Sequence, residues 1–152
     1  MYYFFLSDLN RLDSKMEETR ARMQEAGWEI GESCEQGAET YHDNAPYEEA
    51  VRSFSLSSWQ LSELQKIRGQ VRVVDPPAVA DKAKIGVRVR IKDLETQEEL
   101  SVRIASYIVF DQGDISYRSP LAKILIGAVA GDVKSGVISG KKKRFQIMEL
   151  SL

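Results

Sequence analysis

Between Leu9 and Ile30 the positions that read as a seam recur every three and four residues in alternation. Leu9, Leu12, Met16, Thr19, Met23, Ala26 and Ile30 occupy them, and Glu, Arg, Gln and Asp fill most of the places between. This is the a/d spacing of a coiled coil, on a background of good helix formers. Gly37 is a helix stop. A second helical pattern runs from about Pro46 to Arg68, with Tyr47, Ala50, Val51, Phe54, Leu61 and Leu64 as its apolar stripe. Proline belongs in the first turn of a helix, and Asp43 or Asn44 is placed to cap it. Each helix alone exposes an unpartnered seam, so the short connection predicts an antiparallel hairpin. An arm of ~30 residues gives it ~45 Å of reach.

Beyond Gly69 the period changes. A short apolar run (Val71, Val73, Val74) leads to Asp75-Pro76-Pro77, which stops helix and central strand alike. Val87, Val89 and Ile91 then alternate with Arg88 and Arg90, and Leu100, Val102 and Ile104 with Ser101 and Arg103. That is the pattern of half-buried antiparallel strands. A last strand runs through Phe145 and Ile147, with turns expected at Asp93 to Gln97 and at Gly136 to Lys142. One short helix interrupts the strands: Ser119 as N-cap, Pro120 at its first position, Leu121, Ile124 and Leu125 on its apolar side, Gly127 at its end. The fold class is therefore α+β. Residues 1–72 form the helical hairpin, and residues 73–152 a small antiparallel β domain with one helix.

Composition closes off several classes of function. Among 152 residues there is one cysteine, Cys34, and one histidine, His42. That excludes an internal disulfide, a cysteine zinc site and histidine-rich metal or triad chemistry. Cys34 reads as a small inert side chain near the tip, and His42 as an exposed loop residue. No stretch approaches the ~20 apolar residues of a membrane span. The apolar start, Tyr2 to Leu6, lacks a basic leader and is expected to pack at the base of the rod rather than to act as a signal peptide. A cytoplasmic location, with no membrane contact, is expected.

The net charge of −2 conceals an asymmetry: residues 1–69 carry 13 acids against 7 bases, and residues 70–152 carry 10 against 14. Between Arg22 and Arg52 there is no Lys or Arg, yet eight acids occur: Glu25, Glu29, Glu32, Glu35, Glu39, Asp43, Glu48 and Glu49. Like charges at the end of a thin rod repel one another. Two readings fit. Either the tip delivers carboxylates to a metal ion or a basic surface, or Asp43 and Asn44 cap the second helix and the glutamates keep the rod soluble. The bases of the C-terminal half are spread over strand faces without interleaved aromatics, which argues against stable direct nucleic-acid binding. Trp28 and Trp59 lie off the seam, either facing a partner or packed beside the hairpin.

The stretch Gly113-Asp114-Ile115-Ser116-Tyr117-Arg118-Ser119-Pro120-Leu121-Ala122-Lys123-Ile124-Leu125-Ile126-Gly127, followed by Gly131-Asp132-Val133, resembles the signature of the Gre transcript-cleavage factors. Ile85-Gly86-Val87-Arg88-Val89 and Leu94-Glu95-Thr96 look like that family's first C-terminal strands. Asp43-Asn44-Ala45-Pro46-Tyr47 resembles the opening of its second coiled-coil helix. The resemblance implies an antiparallel coiled coil joined to an FKBP-like globular domain. It also implies a monomeric elongation factor that docks at the rim of the bacterial RNA polymerase secondary channel and places its tip inside. There it meets the RNA 3′ end only within the complex.

In such factors the tip carboxylates help hold a Mg²⁺ of the polymerase active site, so the protein has no cofactor of its own and is not itself an enzyme. Two-metal phosphodiester hydrolysis is the chemistry implied. Carried across, the tip acid before Asn is Asp43, one methylene shorter than the family's Glu. The family's tip Asp falls on Thr40, beside Glu39. Asp114, Ser116, Ser119 and Pro120 match the polymerase-docking surface, although Ser119 and Pro120 also serve to start a helix. Thr40, and the presence of Arg52 alone among bases between Tyr47 and Gln65, support an alternative: a Gre-fold regulator in the same channel that inhibits, or modulates initiation, without stimulating cleavage. A prolyl isomerase or chaperone is the third reading, and it rests on fold alone.

Overall fold

The computed structural model describes residues 1–35 and 45–152. The chain divides into two compact units, one of Met1 with Asn10–Val71 and one of Tyr2–Leu9 with Arg72–Leu152.

In the first unit, helix α1 (Leu6–Glu35, of which Asn10 onward belongs here) is paired with helix α2 (Ala45–Arg68). Arg68 donates from Nε to Asp13 Oδ1 at 2.7 Å, and the ring of Phe54 lies against Gly27. As one partner's number falls from 68 to 54 the other's rises from 13 to 27, so the helices run antiparallel. Leu12, Thr19, Ala26 and Ser33, seven residues apart, are buried along α1; Ala50, Ser57 and Leu64, with Leu61, are buried along α2. Every one of these is a seam position of a heptad repeat. Most are small, and the hydroxyl of Thr19 stays satisfied by donating to the Lys15 carbonyl at 2.8 Å. Val51, expected on the stripe, is exposed, and Ser57 takes a buried seam place that hydrophobicity alone does not mark.

The second unit holds β1 (Tyr2–Phe4), which pairs with β2 (Val71–Val73), and a five-stranded sheet. The sheet's strands are β3 (Arg88–Asp93), β4 (Glu99–Ala105), β5 (Asp114–Ser116), β6 (Val133–Ile138) and β7 (Lys141–Ser151), in the order β5-β4-β3-β7-β6. Alternation explains the core. Val89, Ile91, Val102, Ile104, Phe145 and Ile147 point to one face and are buried with Val87, Ala122, Leu125 and Ala128. Ala122 and Leu125 come from α3 (Pro120–Leu125).

Two details differ from expectation. The sheet is mixed, because β5 runs parallel to β4 while the other pairs are antiparallel. The expected turn at Gly136 to Lys142 is shorter: Gly136 lies inside β6, paired with Lys143, and only Ser139 and Gly140 separate β6 from β7. The reason is packing. A Cβ at Gly136 would come within 2.5 Å of Ile124 Cγ1, so the glycine makes room for the helix rather than a bend.

Candidate functional site

The predicted site residues fall in two places. Glu39 and Asp43 lie outside the described residues, as do Thr40 and His42. The described acids of that block, Glu25, Glu29, Glu32, Glu48 and Glu49, are all exposed, and Glu49 pairs with Arg52 at 3.1 Å. Among the described residues no group of three or more His, Cys, Asp or Glu side chains is placed to hold a metal ion. Trp28 and Trp59 are exposed on the helices, at 74% and 60%. Trp59 borders a shallow groove with Lys15, Thr19, Arg22, Gln60 and Glu63.

Asp114, Ser116, Ser119 and Pro120 are brought together where β5 passes into α3. Ser119 has extended backbone (φ −63°, ψ 153°) and its hydroxyl accepts from Ala122 N at 3.2 Å, the N-cap bond the sequence predicts. Ser119 N donates to the Ser116 carbonyl at 2.9 Å, and Ser116 Oγ accepts from Arg118 N at 3.3 Å. The four-residue turn from Ser116 to Ser119 is thus held at both ends, leaving Pro120 exposed on its rim.

Asp114 differs from its neighbours. Its carboxylate receives Arg103 Nε and Nη2 at 3.1 and 2.5 Å, and its side chain is only 5% exposed. The hydrogen bonds that Arg103 donates to Asp114 hold its guanidinium above its ordinary range, with the charges of Asp114, Asp8 and Asp111 adding to them against the opposing effect of burial. Behind this pair, Ser106 Oγ donates to Asp8 Oδ2 at 2.6 Å and accepts from Phe5 N at 3.0 Å, with Ser106 fully buried.

Next to the turn stands a feature the sequence reading missed. The guanidinium of Arg118 lies over the rings of Tyr2, Tyr107 and Tyr117, 4.9, 5.4 and 5.9 Å from their centroids. Tyr2 packs on Tyr107 at 4.3 Å and Tyr3 on Tyr117 at 5.6 Å. Tyr3 N donates to the Tyr117 hydroxyl, and Tyr107 N to the Tyr3 carbonyl. The contributing residues come from three separate stretches, so no local spacing announces the cluster. The one available signal is the density of tyrosine at the very start of the chain and beside the serine–proline motif.

A family model described as the C-terminal part of the GreA/GreB transcription elongation factors matches residues 77–152. The chain belongs to the GreA/GreB family. Its likeness extends beyond that half. The transcription elongation factor GreA of Rhizobium leguminosarum bv. trifolii (strain WSM2304) is 33% identical over 140 residues, covering 90% of this chain and 85% of that protein. GreA of Paracoccus denitrificans (strain Pd 1222) is 30% identical over 144 residues, covering 93% and 91%. Among solved structures, the GreA factor homolog 1 (Gfh1) protein of Thermus thermophilus matches 98% of this chain and 97% of its own, at 24% identity and a TM-score of 0.45. The turn from Ser116 to Pro120 and helix α3 fall within the matched region. No helix among the described residues is long and apolar enough to cross a membrane.

Proposed function

We propose that this Gre-family chain binds bacterial RNA polymerase at the rim of the secondary channel and stimulates cleavage of backtracked RNA. The surface around Ser116, Ser119 and Pro120 does the docking, with Asp114 supporting it through Arg103. The hairpin carries Asp43 and Glu39 to the RNA 3′ end. The observation that carries this reading is the extent of the likeness: GreA relatives align over 90% of the chain, hairpin included, so the acidic arm and the globular unit occur together. A lone C-terminal match would support docking without delivery.

The division of labour follows from the donor set. Carboxylates are hard oxygen ligands of the kind Mg²⁺ takes, often only one or two at a time. Asp43 and Glu39 would help hold a Mg²⁺ of the polymerase active site, where the ion would supply Lewis-acid activation of water and charge stabilisation at the leaving oxygen. The chain's own part is to lend negative oxygens at Asp43 and Glu39, to keep the arm extended by like-charge repulsion, and to hold the docking turn rigid. In this reading it activates an endonuclease that belongs to the polymerase and works as a monomer. Added with Mg²⁺ to a stalled, backtracked complex, it is expected to accelerate release of short 3′ RNA fragments. Asp43→Asn is expected to abolish that release with polymerase affinity unchanged; undiminished release would remove Asp43 from the mechanism.

A second reading has specific support. Thr40 stands where the resembled tip carries an acid, and Arg52, alone among bases between Tyr47 and Gln65, is paired with Glu49. A regulator that fills the channel without promoting cleavage needs neither a second carboxylate nor cations beside RNA. Inhibition of the polymerase without fragments selects this reading. Under it, Thr40→Asp is expected to create fragment release where the natural chain has none.

A further inference from the structure

We propose that Lys15, Arg22 and Trp59 form a contact on the hairpin for an acidic segment of the polymerase channel wall. This deepens the polymerase reading above, on which it rests, by giving the arm a protein-binding surface of its own. Arg20, Arg52, Lys66 and Arg68 are each ion-paired with a carboxylate of the hairpin. Among the described residues no carboxylate pairs with Lys15 or Arg22, and both are exposed on α1. They stand seven residues apart, so they share one helix face, about 10 Å apart along the axis. The groove they border also takes in Trp59, 60% exposed although Leu61 and Leu64 already fill the seam beside it. An exposed indole and unpaired cations add nothing to the packing of the hairpin, whereas Trp and Arg are the side chains that most often dominate the energy of protein interfaces.

Arg22 is also held in place. Its Nη2 donates to Thr19 Oγ1 at 3.2 Å, and that hydroxyl donates in turn to the Lys15 carbonyl at 2.8 Å. Thr19 is buried in the seam, where an apolar residue would pack as well without the cost of burying a polar atom. Its hydroxyl is a positioning group: it fixes one edge of the Arg22 guanidinium and leaves the other donors of the fork for a carboxylate.

Position and charge choose the occupant. Arg22 lies about 20 Å along α1 from the helix end at Glu35, set back from the tip that meets RNA in the reading above. The stretch between is acidic: Glu25, Glu29, Glu32, Glu48 and Glu49 are exposed, and no Lys or Arg occurs between Arg22 and Arg52. RNA reaching the groove along the arm would be repelled, and two cations make no track for a polyanion. A protein carboxylate needs only one or two N–H donors, and the indole can cover the apolar stem of the residue that carries it. An acidic segment of the wall therefore fits where a nucleic acid does not.

The test measures binding of the intact chain to purified bacterial RNA polymerase without RNA, at low and physiological salt, with thermal melting alongside. Trp59→Ala is expected to weaken binding about tenfold or more, as truncation of an interface tryptophan does. The double variant Lys15→Ala with Arg22→Ala is expected to weaken it comparably and to bind with less dependence on salt. Alanine is at least as good a helix former at all three exposed positions, so melting temperatures should not fall. Thr19→Val keeps the seam filled and removes the acceptor for Arg22. It is expected to melt no lower than the natural chain yet to bind about two- to tenfold more weakly, the worth of one hydrogen bond. If all these variants bind as the natural chain does while Pro120→Ala does not, the groove contact is overturned and the polymerase reading stands. A loss that appears only with RNA in the complex assigns the groove to RNA and overturns the protein occupant. Dimerisation of the natural chain that Trp59→Ala abolishes in sedimentation assigns it to a second copy, with the same consequence. Should the natural chain fail to bind polymerase at all, the reading beneath fails, and the groove contact with it.

Discussion

Arg103 and Asp114 stand directly opposite each other in the parallel pair of β4 and β5, joined by two hydrogen bonds across the strands. The strand that Asp114 begins has three residues, Asp114–Ser116, and it leads straight into the docking turn. A strand so short at a sheet edge gains little from its ladder, so the ion pair adds to the backbone bonds from Arg103 N to Gly113 and from Tyr117 N to Ala105 that bracket it. Asp114→Ala is expected to lower stability by about 2 kcal/mol, the scale of a charge-assisted hydrogen bond left unmade. Urea denaturation of both single variants and the double variant measures the coupling, and it should exceed about 0.5 kcal/mol if the two act as a unit. Simple additivity would show that β5 is held by something else.

Asp93 gives the globular unit an acid-sensitive turn. Its carboxylate accepts from Glu95 N at 2.8 Å and Thr96 N at 3.3 Å, and Lys143 Nζ approaches at 3.3 Å. The bond from Glu95, then those from Thr96 and Lys143, hold Asp93 below the usual 3.8. A carboxylate depressed in the folded state adds stability that is fully present above its unfolded value and is lost as pH falls through the folded one. Asp93→Asn keeps an acceptor oxygen and removes the charge. The natural chain is therefore expected to be the more stable of the two near pH 6, with the gap closing as pH falls below the ordinary 3.8 and through the lowered folded-state value. A gap that stays constant over that range in urea denaturation would detach Asp93 from the acid limb.

Much of this fold is legible in the residues because its rules are local. The seam of α1 follows from heptad spacing, and Ser119 caps α3 because hydroxyl and proline stand where a helix start needs them. The alternation in β3 and β4 turns into the buried face of the sheet. What escaped depends on partners remote in sequence. β5 is too short to alternate, and its direction is set by its pairing with β4. Gly136 reads as a turn residue until Ile124 is seen filling the space beside it. The ring platform under Arg118 joins residues more than a hundred positions apart, and no periodicity could bring Tyr2 to Tyr107. The carboxylates expected at the tip, Asp43 and Glu39, lie outside the described residues, and their placement rests on the chemistry of the acid block.

Gly136 supplies a direct check on the packing of α3 against β6. In an open strand, replacing glycine by alanine usually stabilises, because glycine has more backbone freedom to lose on folding. Here the added methyl would meet Ile124 Cγ1 at 2.5 Å and Cδ1 at 2.6 Å. Gly136→Ala is therefore expected to cost about 1–3 kcal/mol by overpacking. In an Ile124→Ala background, which lacks both Cγ1 and Cδ1, the same Gly136→Ala change is expected to cost less than it does in the natural chain. If Gly136→Ala is neutral or stabilising in urea denaturation, the contact is softer than its geometry implies.

Ser119 and Pro120 invite the question of whether they serve the fold alone or also the partner, and their chemistry lets the two be separated. Ser119→Ala removes the bond to Ala122 N and is expected to cost about 1 kcal/mol. Ser119→Asp replaces one capping oxygen by another and places a negative charge at a helix start, where it is tolerated or favoured. Stability is then expected to be near that of the natural chain, while the new charge on the docking face weakens polymerase binding. Pro120→Ala frees the unfolded chain and is expected to cost about 0.4–1 kcal/mol of stability, yet it removes an exposed, rigid contact. Its loss of affinity should exceed what that small destabilisation explains. Measured together, denaturation midpoints and polymerase affinities give two columns that must rank the three variants differently. If affinity simply follows stability through the set, the serine and proline do no more than start a helix, and the docking surface has to be sought elsewhere on the globular unit.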